Sequence, residues 1–499
     1  MINLNKKMAK GAVWMVLFKL AERSIGLVST IILARLLVPA DFGLVALAMA
    51  MIAVLEILGA FSFDVVLIQN QQAERSHYDT AWTFNILSGG LSAVGVLLLA
   101  HPVAVFYNDM RLEWVMFALA FAPLVSGFEN IGVVAFRKDM EFHKEFKFLI
   151  TKKLVAFVVT MTIAFTFRNY WALIAGTVAS RTIGVMLSYA LHPYRPRFSL
   201  ARRHDLFHFS KWLFINNVIM FTNNRASDFI VGKIAGPHDL GLFSVAYEVS
   251  NLPTTELTAP INRAVFPGYA KMGGDKAALR AGYLSVLGLI ALITIPIGLG
   301  IMATADVFVP LVLGEKWLST AALMQMLTLF GLSQALQNNI GSVYFALGQA
   351  RTQTTLAFAY SVVLIPALIV GASWGGSMGA ATALVVCGVA MFPINLFIVS
   401  RMLELHLSDF VKTIWRAIIA GMVMLVAVLF VHSFFGGSAR LFNLFLELLL
   451  LVLVGAVVYC GVVFVLWRGS SSPDGAEKVM LRQLKNKAGK FIPWLNTLV

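Results

Sequence analysis

Apolar stretches of about 20 residues, each long enough to cross a ~30 Å hydrocarbon core, follow one another along this chain almost without pause. They centre near residues 24, 52, 91, 124, 158, 181, 222, 252, 291, 333, 364, 389, 423 and 455. Inside a bilayer no water satisfies the backbone, so spans of this length have to be helical. The expected fold is an all-α integral membrane protein with about 14 transmembrane helices. The seventh and eighth are the richest in polar residues. With 59% hydrophobic and 13% charged residues, the chain lacks the polar surface of a water-soluble protein. No stretch is long and polar enough for a separate soluble domain. The first segment follows Lys6, Lys7 and Lys10 as a signal peptide would. It is too long, however, carries Lys19, Glu22 and Arg23, and lacks a small-x-small cleavage site, so it reads as a retained span.

A second constraint is internal. Eight residues between Trp14 and Ala48 recur when the chain is slid by 198 positions. The dense part is Pro39-Ala40-Asp41-Phe42-Gly43-Leu44 with Ala48, matched by Pro237-His238-Asp239-Leu240-Gly241-Leu242 with Ala246. Trp14, Ser29 and Ile32 pair with Trp212, Ser227 and Ile230, and the basic Arg35 with Lys233. Each copy lies between two apolar segments and six spans separate the copies, so both face the same way. A parallel repeat of this kind is the architecture of a two-lobed transporter. Residues 1–192 (helices 1–6) form an N-lobe and 209–400 (helices 7–12) a C-lobe. Residues 193–208 join them, and Pro193 and Pro196 exclude a continuous helix there. Helices 13 and 14 (401–467) lie outside the repeat, and 468–499 form a basic amphipathic tail. The tail reads as a helix on the anionic inner leaflet, with a partner-docking segment as the alternative.

The +14 net charge follows from topology. Bases gather on one side: Lys6, Lys7 and Lys10; Arg137, Lys138, Lys144 and Lys147; Arg195, Arg197, Arg202 and Arg203; Lys271, Lys276 and Arg280; Arg401 and Lys412; and the tail. The opposite side offers little beyond Arg111, Arg168, Lys316 and Arg440. By the positive-inside rule both termini are cytoplasmic, and a nucleic-acid partner is rejected. Nine tryptophans near helix ends, including Trp82, Trp114, Trp317 and Trp467, read as interfacial anchors. Cys387 and Cys460 fall inside spans, so neither a disulfide framework nor a metal site is indicated. The longest outward loops, roughly His101–Glu113 and Thr304–Ser319, are too short for the catalytic domain of a polysaccharide polymerase or polytopic glycosyltransferase. No nucleotide-binding motif appears. The chain is expected to be a transporter without a cofactor, not an enzyme.

Ionised groups at mid-membrane cost ~2.5–3.5 kcal/mol each and need a partner or a wet cavity. Helix 1 carries Lys19, Glu22 and Arg23 on one face by their i, i+3, i+4 spacing. Helix 7, its repeat mate, carries Asn217, Asn224, Arg225 and Asp228. Helix 8 has Glu248 and Asn251 before Pro253, which should bend or break it. Helix 2 contributes Glu56 and Asp64, and helix 10 contributes Gln337. The first two helices of each lobe are expected to line a central cavity. There Lys19, Arg23 and Arg225 would meet an anionic group such as pyrophosphate, which arginine matches geometrically. Asn217, Asn224, Asn251 and Gln337 are candidates for sugar contact. The alternative is that Lys19–Glu22–Arg23 and Arg225–Asp228 are local ion pairs. Glu22, Glu56, Asp64, Asp228 and Glu248 are each able to take up a proton or Na⁺ for coupling, or to act as structural partners. Arg35 and Lys233 are close enough to the outer interface to snorkel. Asp41 and Asp239 should cap the helices they begin, and Gly43 and Gly241 permit a close turn.

Several segments, in order, resemble the bacterial polysaccharide-transport branch of the multidrug/oligosaccharidyl-lipid/polysaccharide exporter superfamily. They are Leu36-Leu37-Val38-Pro39-Ala40-Asp41-Phe42-Gly43-Leu44, Ala135-Phe136-Arg137-Lys138-Asp139-Met140-Glu141-Phe142, Leu313-Gly314-Glu315-Lys316-Trp317 and Leu347-Gly348-Gln349-Ala350-Arg351. The likeness covers essentially the whole chain and is strongest to exporters of the colanic-acid and xanthan type. It implies fourteen helices in two lobes and alternating access. The implied cargo is an undecaprenyl-pyrophosphate-linked oligosaccharide, flipped from the inner to the outer leaflet of a bacterial inner membrane. It also implies a polysaccharide polymerase and co-polymerase as partners. A cation-coupled multidrug exporter and a lipid II flippase share the fold and remain as alternatives.

Overall fold

A computed structural model describes residues 2–59, 67, 73–139, 141–272, 274–435, 441–470 and 477–478. Asp64, and the tail apart from residues 468–470, Glu477 and Lys478, lie outside them. The described residues form long helices in chain order: α1 (Ile2–Leu36), α2 (Pro39–Gly59), α3 (Arg75–Tyr107), α4 (Arg111–Gly127), α5 (Phe142–Phe167), α6 (Trp171–Leu191) and α7 (Arg203–Ile234). Then follow α8 (Gly236–Ser250), α9 (Ala259–Met272), α10 (Lys276–Phe308), α11 (Ser319–Ala346), α12 (Ala350–Leu403), α13 (Leu407–His432) and α14 (Leu441–Gly469).

α12 is two helices, because Gly375 and Gly376 leave helical geometry and Gly376 has φ of 55°. Glycine takes that conformation without the Cβ clash that other residues suffer. α8 and α9 form one segment interrupted by a wide π-helical turn over Pro253–Thr258. The missing N–H of Pro253 is the physical cause. Counted in this way, the described helices follow the fourteen apolar stretches one for one. The fourth departs most from expectation: α4 is short, and the chain bends by 65° into Ile131–Lys138.

Contacts divide the chain into a unit ending at Ser244 and a unit beginning at Val245. This division falls elsewhere than the repeat boundary, because α2 packs on α7 and brings α7 into the first unit. In that unit α3 packs on α4, α5 on α6 and α1 on α5. In the second unit α10, α11, α13 and α14 surround a core that includes Leu287, Ala291, Met424 and Leu451.

Three tryptophans correct the anchor reading. Trp317, Trp467 and Trp82 are buried in protein, whereas Trp114 and Trp374 are 65% and 88% exposed. The outward loops are also shorter than expected. α3 runs through Pro102 to Tyr107, leaving only residues 108–110 of the expected loop, and a π turn extends α10 to Leu313.

The join after α6 is strapped to the first unit. Asp79, a buried residue of α3, accepts from Tyr194 Oη at 2.7 Å and from the backbone N–H of Arg197 at 2.9 Å. Thr83 Oγ1 accepts from Ser199 N at 2.9 Å, and Asn130 Nδ2 donates to Tyr194 O at 2.7 Å. The Phe198 ring lies 5.0 Å from that of Trp82. Burial, reinforced by the Asp79 carboxylate, pushes the Tyr194 phenol well above its ordinary pKa, so it stays a donor. Removing Asp79 strands the Arg197 N–H, at ~1–3 kcal/mol, and leaves Tyr194 Oη only the longer contact to Arg75 O at 3.2 Å. Asp79→Ala is therefore expected to lower stability by about 1–3 kcal/mol and to open the Arg197–Phe198 bond to trypsin. An unchanged digest would contradict the strap.

Candidate functional site

Charged groups inside the helices of the first unit build the candidate site. On α1, Lys19 Nζ donates to Glu22 Oε2 at 2.8 Å, yet 60% of the Lys19 side chain stays exposed. Arg23 sits on the same face, half-buried. Phe18, edge-on to Phe146 at 6.5 Å, fixes this part of α1 against α5. On α7, Arg225 Nη1 donates to Asp228 Oδ2 at 2.9 Å. Asp228 is nearly buried at 11% side-chain exposure, while Arg225 keeps 48%. Local ion pairs thus form on both repeat mates, but each leaves its base open. The bond to Asp228 uses one of the five guanidinium N–H donors of Arg225.

Arg225 stands nine residues, ~14 Å, from the end of α7. An open guanidinium at that depth is tolerable only against water or an anion, because hydrocarbon penalises it. The buried acid fixes the base, and the base presents its remaining donors outward. Such a site can hold a phosphate-bearing group.

Two further ion pairs lie in the same unit. Glu56 of α2 meets Arg181 of α6 at 3.4 Å, and Lys152 of α5 meets Glu129 at 3.2 Å. Arg181 and Lys152 were missed by the sequence reading, although a base within an apolar run was the signal that found Lys19.

The amide candidates behave differently. Gln337 Nε2 donates to Gly388 O at 3.0 Å and to Ser333 Oγ at 2.8 Å, and its Oε1 accepts from Asn395 at 2.9 Å. Both ends of that side chain are engaged in tying α11 to α12. Buried Asn251 donates to Tyr247 O, one turn back, at 3.0 Å. Asn224 and Glu248 are exposed. The side chain of Asn217 lies outside the described residues.

The repeated Pro-x-Asp-x-Gly-Leu motifs come together. Asp41 and Asp239 stand in the first turns of α2 and α8, and Asp41 Oδ2 accepts from Val38 N at 3.4 Å. A Cβ on Gly43 would overlap the Pro237 carbonyl oxygen and stand 2.6 Å from its carbon. A Cβ on Gly241 would overlap the Pro39 carbonyl oxygen and stand 2.7 Å from its carbon. Each glycine admits the backbone of the other copy. Beside them Lys233 Nζ donates to Phe106 O and stands 4.1 Å from that ring's centre.

Helices of this number and length, with charged side chains inside them, define a polytopic membrane protein. The chain belongs to the family described as "Polysaccharide biosynthesis protein", whose profile matches residues 32–322. It is 28% identical to the lipopolysaccharide biosynthesis protein WzxC of Escherichia coli K12, over 76% of this chain and 78% of that one. It is 23% identical to the succinoglycan biosynthesis transport protein ExoT of Rhizobium meliloti strain 1021, over 91% of this chain and 92% of that one. Among solved structures, the lipid II flippase MurJ in an inward closed conformation aligns with TM-score 0.71 and 15% identity, covering 91% of this chain and 99% of that one. An inward-facing multidrug-resistance transporter of the MATE family, itself of the MOP superfamily, aligns at 0.54 and 13%, covering 77% of this chain and 95% of that one. These two likenesses concern the fold.

Proposed function

We infer that this chain is a flippase for a lipid-linked oligosaccharide, moving an undecaprenyl-pyrophosphate-linked repeat unit from the cytoplasmic to the periplasmic leaflet for export of a surface polysaccharide. It is a transporter and not an enzyme. The observation that carries this reading is the pair of open bases, Lys19 and Arg225, each held by an acid of its own helix. A pyrophosphate entering a low-dielectric cavity needs such donors, whereas an organic cation would be repelled by them. The family and its polysaccharide-exporting relatives support the same cargo class.

The repeat-defined lobes, 1–192 and 209–400, would alternate access, with both termini cytoplasmic and a proton or Na⁺ as driver. The glycine contact between Pro39 and Pro237 lies at the ends away from the basic loops, and we assign it to closure on the periplasmic side. A polymerase and co-polymerase would receive the flipped unit.

The test is deletion of the gene in its host, with mass spectrometry of the polyprenyl-linked lipids. One complete oligosaccharide should accumulate on its pyrophosphate carrier while polymer disappears. Normal lipid pools with intact polymer, and raised sensitivity to cationic dyes, would overturn the reading in favour of a drug exporter.

A further inference from the structure

Lys153 lies deep in α5, ~17 Å from the start of that helix and ~21 Å from its end, and is half-buried. Contacts at other positions of α5 fix the face it occupies. Phe146 packs edge-on against Phe18 of α1, and Phe157, Met161 and Ala164 gather with Leu33 and Leu37 of α1. Counted from Phe146, Lys153 and those three stand at i+7, i+11, i+15 and i+18, which is one face of a helix. Leu154, Val158 and Phe165, all exposed, turn another face outward. Lys153 therefore faces α1. The same contacts set the register. Phe18 meets Phe146, and further along both helices Leu33 and Leu37 meet Met161 and Ala164, so α1 and α5 run parallel. Lys153 is then level with Ile25, and Arg23 and Lys19 stand ~3 Å and ~9 Å nearer the start of α1.

This ammonium lacks an acid. Among the described residues Lys153 has no hydrogen-bond or ion-pair partner. The elements packed on α5 are α1, α6 and the short turn Val134–Lys138. Together with α5 they carry only two acids, Glu22 and Glu145. Glu22 accepts from Lys19 at 2.8 Å, and Glu145 accepts from Arg137. Glu129, just past the end of α4, meets Lys152 on the adjoining face of α5 at 3.2 Å. A charge that far from either helix end needs an anion or a wet cavity. The α1 side of this layer is open to a ligand, because Lys19 keeps 60% of its side chain exposed and Glu22 35%.

We propose that Lys153 holds one phosphate of a pyrophosphate whose other phosphate is held from α1 by Lys19 and Arg23, so that this layer selects a pyrophosphate carrier over a monophosphate one; this rests on the flippase reading above. Two parallel helices that each present a base engage two phosphates at once. A single phosphate satisfies one helix and leaves the base of the other without an anion. Lysine suits the second position, since its ammonium is a point charge on a flexible stem and follows the phosphate that α1 has oriented.

The experiment is native mass spectrometry of the purified full-length protein with undecaprenyl pyrophosphate or undecaprenyl phosphate, comparing wild type, Lys153→Gln, Lys153→Arg and Lys147→Gln. Lys147 is an exposed base six residues nearer the start of α5. Wild type should bind the pyrophosphate about tenfold more tightly than the monophosphate, the worth of one charge-assisted hydrogen bond. Lys153→Gln should lose that factor on the pyrophosphate alone, bringing the two carriers level. Lys153→Arg and Lys147→Gln should keep the preference. A wild-type preference in Lys153→Gln would overturn the proposal and leave the flippase reading standing, as would equal binding of both carriers by wild type. Wild type that binds neither carrier would overturn the flippase reading and the proposal with it. If Lys153→Gln is unstable, Lys153→Met removes the charge, keeps the apolar stem and is read in the same way.

Discussion

Alanine at Gly43 is expected to cost stability at or beyond the ~3 kcal/mol upper end of ordinary overpacking, with loss of polysaccharide export. The added methyl would overlap the carbonyl oxygen of Pro237, and Gly241 N lies 2.9 Å from it. Both obstacles are backbone, and neither can rotate aside as a side chain does. Gly241→Ala should behave alike, because its Cβ meets the Pro39 carbonyl in the same way. Gly26 and Gly90 are helical and have nothing within 4 Å of a built Cβ. Alanine there should be neutral or stabilise by up to ~1 kcal/mol through helix propensity. The check is thermal melting of the four purified variants beside polymer output from cells. Wild-type melting and output from Gly43→Ala would contradict the contact between the motifs.

Arg225→Ala is expected to abolish flipping, and the cause has to be separated from a structural one. Its loss strands Asp228, whose side chain is only 11% exposed, at a cost below the ~3–5 kcal/mol of a fully buried pair because Arg225 is half-exposed. Arg225→Ala/Asp228→Asn removes the stranded charge along with the base. That double variant should regain membrane abundance but not flipping. Arg225→Lys keeps the charge without the planar fork and should retain part of the activity. Arg23→Ala should likewise reduce flipping at normal abundance. If the double variant flips normally, Arg225 and Asp228 form a structural pair and the cargo is held elsewhere.

What the sequence made legible was governed by local chemistry. The length of the apolar runs placed the helices, Pro253 marked the break between α8 and α9, and Pro193 and Pro196 ended α6 at Leu191. The spacing of Lys19 and Glu22, and of Arg225 and Asp228, foretold both ion pairs. Contacts between distant segments were beyond such reasoning. Gly43 and Gly241 read as residues of two local turns, because nothing in either copy says that it meets the other. Nothing in the local pattern around Asp79 marks it as the anchor of the strap from Tyr194 to Ser199. Trp82, Trp317 and Trp467 share the composition of interfacial anchors, and only packing reveals them as core. Gln337 looked open to sugar because its partners, Gly388 and Asn395, lie on another helix.

The most direct measurement is translocation by the purified protein in proteoliposomes carrying undecaprenyl-pyrophosphate-linked oligosaccharide, read by a membrane-impermeant glycosidase acting from outside. The inner-leaflet glycan should become accessible over minutes with wild-type protein. It should stay protected with Arg225→Ala/Asp228→Asn and in protein-free vesicles. Glycan that stays protected with folded wild-type protein under both a proton and a Na⁺ gradient would contradict the account.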